Sequence, residues 1–401
     1  MPRTDLPAAP PGRAVARYRR SPHVVAYWQA DGLVLHQFAR GTRTVAAPPV
    51  VALLDAAATW RTVTELTAAV PGASAAALRP LLRALVRRGL LESATAARSQ
   101  KPDPHDAAAS QWGAWNPVAG FFHDATRNVR FSPRRLANAA LRRRAREAPP
   151  PAAVTTRPDA RPADVHVLPP PATGSALAAT LRARRSWRRL GRGALPLDTL
   201  ATLLGLTWGV QAWVDVDGFG WMPLKTSPSG GARHAVEAYV AVRRVEGVVP
   251  GIYHYEAASH RLVRLRRGLP ARALAACVPH QAWMANAPAM VFMTAVFARA
   301  QWRYQTPRAY RTVLAEVGHH AQTFCLLATD QALAPFCTMA LADGATERLL
   351  GVDGLHEAVL YAVGVAPRPA GAAWAPWPHT RRLPRRLDRI PGVGPGGIPD
   401  P

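Results

Sequence analysis

Lysine is almost missing from this chain. Of its 50 basic residues only Lys101 and Lys225 are lysines, and the rest are arginines. Acid is scarce too: 25 carboxylates leave a formal net charge of +25 over 401 residues. Such a charge raises nucleic acid as a partner. The arginines are scattered, however, among abundant alanine and proline, as a biased genome composition also produces, so no nucleic acid is expected. Cysteine is limited to Cys277, Cys325 and Cys337, with no CxxC or metal-ligand spacing. That excludes a disulfide framework and a cysteine-rich metal centre, and it fits a reducing cytoplasm. No signal-peptide core opens the sequence, and nowhere do about eighteen uncharged apolar residues run together, so no membrane span is expected.

What is present is apolar bulk, 49% of residues, enough for a large core. The length suits two domains, or one with an appendage. Residues 1–22 read as a disordered, Pro- and Arg-rich N-terminus. Residues 23–95 read as a small winged-helix-like module. Val24–Trp28 and Leu33–His36 flank an Asp31-Gly32 turn, and helices follow near Val50–Ala58, after a capping box at Thr62–Glu65, and after Ser74. Its last helix carries Arg79, Arg83, Arg87 and Arg88 but no Asn or Gln for base edges, which disfavours DNA reading. A hairpin edge could instead accept a peptide strand. Residues 96–173 read as a linker with an aromatic and helical segment, 174–370 as the main domain, and 371–401 as a Pro-rich tail.

Within the main domain, Arg184-Arg185-Ser186-Trp187-Arg188 clusters guanidiniums around a hydroxyl, suited to a phosphate or to a solvated helix end. Ser227–Val242 begins as a Pro-Ser-Gly-Gly loop and continues with Val236, Ala238, Val240 and Val242 in one parity, as in a half-buried strand. A flat polar ligand could lie against such a loop; an ordinary glycine turn is the alternative. Ala289–Phe297 reads as a strand buried on both faces, and Thr306-Pro307 as the start of a helix running to about 330. That helix also carries Glu316, His319 and His320, whose spacing does not favour a metal site.

Taken in order, several segments resemble the SagB-type dehydrogenases of the FMN-dependent nitroreductase superfamily. They are Arg184–Arg188, Pro228–His234, Pro250-Gly-Ile-Tyr-His-Tyr255, Arg299, Trp302-Arg303-Tyr304, Arg308–Arg311, Gly318-His319 and Leu349–Gly354 with Glu357. The resemblance covers roughly residues 175–367, and Phe122–Arg127 resembles the segment preceding that domain. It implies an α+β fold with a central, mainly antiparallel sheet flanked by helices. It also implies a homodimer with FMN at the subunit interface, and oxidation of peptide thiazolines or oxazolines after a cyclodehydratase has acted. The N-terminal module resembles winged-helix elements that bind leader peptides.

The resemblance further implies that Arg184, Arg185, Ser186 and Arg188 bind the phosphate and ribityl chain, with Arg368 reaching the phosphate. Pro228, Ser229, Gly230, Gly231 and Arg233 fall where the loop approaches the flavin ring. The better-studied azoline oxidases carry a Lys-Tyr pair where this chain has Arg303-Tyr304. Tyr304 keeps its hydroxyl, whereas a guanidinium is a poor base, so Arg303 is assigned to holding a carbonyl or polarising the phenol. Lys225, beside the loop, is the substitute base. Two other readings are a flavin reductase of the same fold acting on dehydroamino acids or nitro compounds, and a non-catalytic docking subunit of a peptide-modifying complex.

Overall fold

The computed structural model describes residues 15–94, 112–115, 117–148, 168–169, 172, 174–218 and 220–371. The N-terminal stretch up to 14, most of the expected linker and nearly all of the Pro-rich tail lie outside the described residues.

The N-terminal unit runs β1 (Arg17–Arg20), β2 (Val24–Gln29), β3 (Gly32–Gln37), β4 (Thr42–Val45), α1 (Pro48–Ala56), β5 (Arg61–Thr62), α2 (Val63–Ala69), α3 (Ala75–Arg87) and β6 (Leu91–Ala94). Order begins earlier than expected. Arg17–Arg20 is a strand rather than disordered chain, because β1 supplies the backbone partner for both β5 and β6, and Arg19 pairs with Glu92 at 2.6 Å. The β2–β3 turn is also shifted: Gly32 already pairs with Gln29 and takes φ +123°, so Ala30 and Asp31 make the bend. Thr62 and Glu65 form the reciprocal capping box at the start of α2. The leucine stripe of α3 (Leu78, Leu82, Leu85) closes a core with Leu35, Leu53, Leu66 and Leu90.

Within the expected linker, the aromatic and helical segment is described and packs on the main domain. Trp112 and Trp115 are buried with Phe297 and Tyr310, then come α4 (Val118–Thr126) and α5 (Arg134–Glu147). Each indole N–H finds a backbone acceptor in the main domain, Trp112 at Leu355 O (3.1 Å) and Trp115 at Tyr304 O (2.8 Å). His123 is enclosed between the Tyr310 hydroxyl and Gly354 O, both at 2.9 Å. Burial pushes its pKa down to about 3, so it is a neutral bridging group. The main domain therefore starts before residue 174, at this aromatic strap. The strap also holds the N-terminal unit, through His36 Nε2 and Asp124 Oδ2 at 2.8 Å.

The main domain adds α6 (Ala176–Ala183), α7 (Leu197–Thr207), the hairpin β7 (Ala212–Val216) and β8 (Gly220–Leu224), β9 (Val236–Val242), β10 (Gly251–Glu256), β11 (Arg261–Arg267), α8 (Ala271–Cys277), β12 (Ala289–Val296), α9 (Phe297–Arg303), α10 (Tyr310–Asp330), β13 (Leu333–Thr338), α11 (Asp343–Leu350) and β14 (Glu357–Pro367). Its sheet is antiparallel throughout, in the order β11-β10-β9-β12-β14-β13. Alternation places Val291 and Met293 of β12 in a core with α7 and α10, and Met290 and Phe292 in a second core with α8 and α11. Strand β9, expected to be half-buried, is buried on both faces, since Tyr239 and Ala241 enter the second core. Each fully buried side chain of this size contributes roughly 1.5–3 kcal/mol. Two cores on one sheet make it a rigid platform. The chain is thus α+β, with helices on both faces of the sheet.

Candidate functional site

The loop between β8 and β9 is built around one buried carboxylate. Glu316 lies on the buried stripe of α10, where Val313 and Val317 pack into the core. It accepts the Ser229 hydroxyl at 2.6 Å and the Val236 N–H at 3.1 Å. Ser229 Oγ in turn accepts the His234 N–H at 2.8 Å. Burial raises the Glu316 pKa, against those donors. His319 donates to Pro228 O at 3.1 Å, and Ser227 meets Thr323 at 3.0 Å. The loop is thus stitched to α10 along nearly its whole length.

Its backbone is strained in one place. Gly231, Ala232 and His234 have φ of +61°, +50° and +44°, and such outliers persist only where the surroundings over-determine them. A Cβ on Gly231 would stand 3.0 Å from the Tyr304 hydroxyl and 3.1 Å from Arg303 Cγ. The expected catalytic pair Arg303-Tyr304 and the glycine loop therefore meet directly. Tyr304 itself is fixed from behind by the Trp115 hydrogen bond to its carbonyl.

Lys225 opens beside the loop into a chamber of about 500 Å³ with Arg233, His234, Glu237, Arg299 and three tryptophans. Burial holds its pKa below the ordinary lysine value, although Glu237 and Glu316 pull the other way. His234 is pushed down to about 4 by burial and by Lys225, and it is neutral, with Nε2–H donating to Pro223 O at 3.1 Å. Glu237 is held by His254 at 2.8 Å and by Arg299. Arg299 also donates to His234 O at 2.9 Å.

The arginine cluster lies at the other end of α10. Trp187 N–H donates to Pro335 O at 2.8 Å, laying residues 184–188 along the edge strand β13. Arg368 donates to Leu333 O at 3.0 Å and stands 5.4 Å over the Trp187 ring. Gly191 passes so close to Pro367 O that a Cβ would stand 2.7 Å from it. Arg188 reaches Ser186 O at 3.3 Å, and Arg185 turns back to Arg182 O and Arg184 O. Cys337 on β13 has its pKa pushed down to about 6, by a hydrogen bond from Cys325 first, with Arg184 and Arg188 assisting. Arg184, Arg188 and Arg368 thus share one sheet edge, while Arg185 is folded back on its own helix.

The expected site residues fall into two groups rather than one pocket. Pro228–Gly231, Arg233, Arg303, Tyr304 and Lys225 lie at the N-terminal half of α10, and Arg184, Ser186, Arg188 and Arg368 at its C-terminal end. Glu316 and Trp115 were not singled out for these roles. A carboxylate on an otherwise apolar stripe was the signal for Glu316; Trp115 carried none, because its acceptor is a backbone atom nearly two hundred positions away. Among the described residues no cluster of His, Cys, Asp or Glu could hold a metal ion, and no helix is long and apolar enough to cross a membrane.

The family model described as "Nitroreductase family" matches residues 181–366. A nitroreductase homologue of Methanocaldococcus jannaschii, MJ1384, is 34% identical over 169 residues, covering 42% of this chain and 81% of that protein. The chain belongs to the nitroreductase family. The family is flavin-dependent. A second relative, the trifolitoxin-processing protein TfxB of Rhizobium leguminosarum bv. trifolii, is 29% identical over 174 residues, and the match spans 42% of this chain but 46% of TfxB. A nitroreductase-family crystal structure from Anabaena variabilis aligns with a TM-score of 0.41 at 27% identity, over 48% of this chain and 38% of that one. Both residue groups sit within or just beyond the nitroreductase-family match, whereas the aromatic strap at 112–128 lies outside it.

Proposed function

We propose that the chain is an FMN-dependent dehydrogenase that oxidises thiazoline or oxazoline rings in a ribosomally made peptide, in the manner of the SagB-type enzymes. The observation that carries this reading is the contact between Gly231 and Arg303-Tyr304. It puts a backbone able to approach a flat ring beside a side chain able to handle a substrate proton. The relationship to a trifolitoxin-processing protein supports peptide maturation as the setting.

The donor set fits FMN. Arg184, Arg188 and Arg368, with Ser186, would hold the phosphate and ribityl chain by charge-assisted hydrogen bonds, and Arg185 assists through its charge. Pro228 to Gly231 and Arg233 would hold the ring. A homodimer, in which each copy lends its loop to the other's arginine edge, would bring both groups onto one cofactor.

When bound, the flavin supplies a hydride acceptor. The chain's own residues do the rest. One ring carbon of the azoline gives up hydride and its neighbour gives up a proton, leaving a C=C bond within the aromatic ring. Lys225, whose burial favours the neutral amine, takes that proton. Tyr304 orients the ring by its hydroxyl, held in place by Trp115. Arg303 stays protonated and holds the adjacent peptide carbonyl. The peptide reaches the enzyme through the N-terminal unit. There the edge strand β2 borders a groove of about 910 Å³ against α1, with Trp28 exposed beside it. A cyclodehydratase delivers the azoline.

The test is absorbance and mass analysis of the purified protein with a synthetic azoline peptide. A yellow protein and loss of two hydrogens from the peptide are expected. A gain of two hydrogens would identify a reductase instead, and a protein that never binds added FMN would leave only a docking role.

A further inference from the structure

The chamber beside the loop is walled by a hairpin that the proposed chemistry does not use. On β7 and β8, Trp213 pairs across from Pro223, and Trp221 and Pro223 are two apart, so all three project from one face of the ribbon. Lys225 continues that parity just beyond the strand. The opposite wall is Trp302, with the Arg233 guanidinium 4.9 Å over its ring. All three tryptophans remain open to solvent: Trp213 is 50% exposed, Trp221 69% and Trp302 57%. So much indole surface around a chamber of about 500 Å³ is a costly arrangement for a chain with nothing to place there.

The charge in the chamber is one-sided. Lys225, Arg233 and Arg299 line it with a single carboxylate, Glu237, and Glu237 already answers to His254 and Arg299. Among the described residues no hydrogen bond reaches the Lys225 amine. Indole faces accept a flat ring by offset stacking or edge contact. A guanidinium at the same rim, that of Arg233, pairs with a carboxylate by charge-assisted hydrogen bonds.

We propose that this chamber binds an aromatic ring bearing a carboxylate, as in a C-terminal aromatic residue of the peptide or a free aromatic amino acid. Placed on the peptide, that residue anchors the substrate next to Gly231 and Tyr304, so the inference rests on the dehydrogenase reading and names a determinant of its substrate. The anchor stacks between Trp221 and Trp302 while its carboxylate meets the Arg233 guanidinium at the rim.

Isothermal titration of the full chain, with and without added FMN, tests this. The probes are N-acetyl-L-phenylalanine, its amide and N-acetyl-L-alanine. The free aromatic acid is expected to bind, with the amide and the alanine derivative each weaker by about ten-fold or more, the loss of one charge-assisted contact or one stacked ring. Trp221→Ala should remove most of the acid's affinity while leaving the FMN content unchanged. A pentapeptide ending in phenylalanine, set against free phenylalanine, separates the two sources: tighter binding of the peptide assigns the anchor to the substrate's C-terminus, and the reverse assigns it to the free amino acid. Equal binding of acid and amide, or no binding of either, overturns the proposal. So does full affinity in Trp221→Ala. The acid-to-amide ratio on the unaltered chain decides the matter even if that variant folds poorly. A colourless protein that binds the acid would sink the flavin reading and keep the chamber. A yellow protein that ignores the acid would do the opposite.

Discussion

The two ends of helix α10 meet the candidate site by different physics. At the N-terminal half a buried carboxylate, a strained loop and two neutral histidines fix a backbone surface, beside a chamber lined by Lys225, Arg233 and Arg299. At the C-terminal end, guanidiniums lie along an edge strand, held by carbonyls and by Trp187, with their charge facing outward. In the proposed reading, the first end would seat the flat flavin ring by buried hydrogen bonds, and the second would take its phosphate by charge that is open to salt.

The sharpest way to break the comparison is Glu316→Ala. It strips the acceptor from the Ser229 hydroxyl and the Val236 N–H, and each buried donor left unpaired costs roughly 1–3 kcal/mol. A loss of about 4 kcal/mol in urea unfolding is expected, with Glu316→Gln losing less because it still accepts one bond. A loss below about 1 kcal/mol would mean that the loop does not depend on this carboxylate.

The matching change at the other end should spare stability and strike the cofactor. Arg184→Ala with Arg188→Ala is expected to weaken FMN binding about 100-fold, the worth of two charge-assisted contacts, and to leave riboflavin, which has no phosphate, nearly unaffected. The FMN affinity of the unaltered chain should fall as salt rises, while the variant's should depend on salt less. Equal losses for the two ligands would remove the phosphate role from this edge.

How far the sequence foretold this division depends on the kind of signal. Strands β9 and β12 and helix α10 were legible because apolar periodicity is local, and the Gly-Gly loop was legible because positive φ has few alternatives. The aromatic segment at 112–123 is legible as such within the expected linker, but its docking is not: Trp112 and Trp115 find their acceptors at Leu355 and Tyr304, and no local pattern announces a partner so far along the chain. The β7–β8 hairpin was missed for a related reason. Both its faces are largely exposed, so it lacks the alternation that marks a half-buried strand. The candidate site residues were named singly from resemblance, but their split between two ends of α10 is a three-dimensional fact.

Acid should loosen the loop end before the arginine end. His234 and His320 are held near 4 by burial, below the ordinary 6.5, so between those values the unfolded chain binds more protons than the folded one. Their contribution is complete above pH 6.5 and is lost as pH falls toward 4. His234 lies in the loop, and His320 Nδ1 donates to the backbone oxygen of the loop's support Glu316 at 2.9 Å. Amide exchange at residues 228–236 should therefore rise across this window while residues 333–338 stay protected. Equal loosening at both ends would show that the histidines report only global unfolding.

The smallest effect on stability should be the most telling about recognition. Gly231→Ala forces a side chain into φ +61°, a cost of about 1 kcal/mol, and sets its methyl 3.0 Å from the Tyr304 hydroxyl. Tyr304 cannot retreat freely, since Trp115 holds its carbonyl. The loop must move instead, and a flavin ring seated on it should show a shifted visible absorbance and weaker binding for FMN and riboflavin alike. Tyr304→Phe in the same background removes the crowding oxygen but keeps the ring. Recovery of both ligands in that double variant would locate the damage at the Gly231–Tyr304 contact. Persistence of the defect would place it in the backbone strain itself, and the shape of the loop would then matter more to the ring than the hydroxyl it touches.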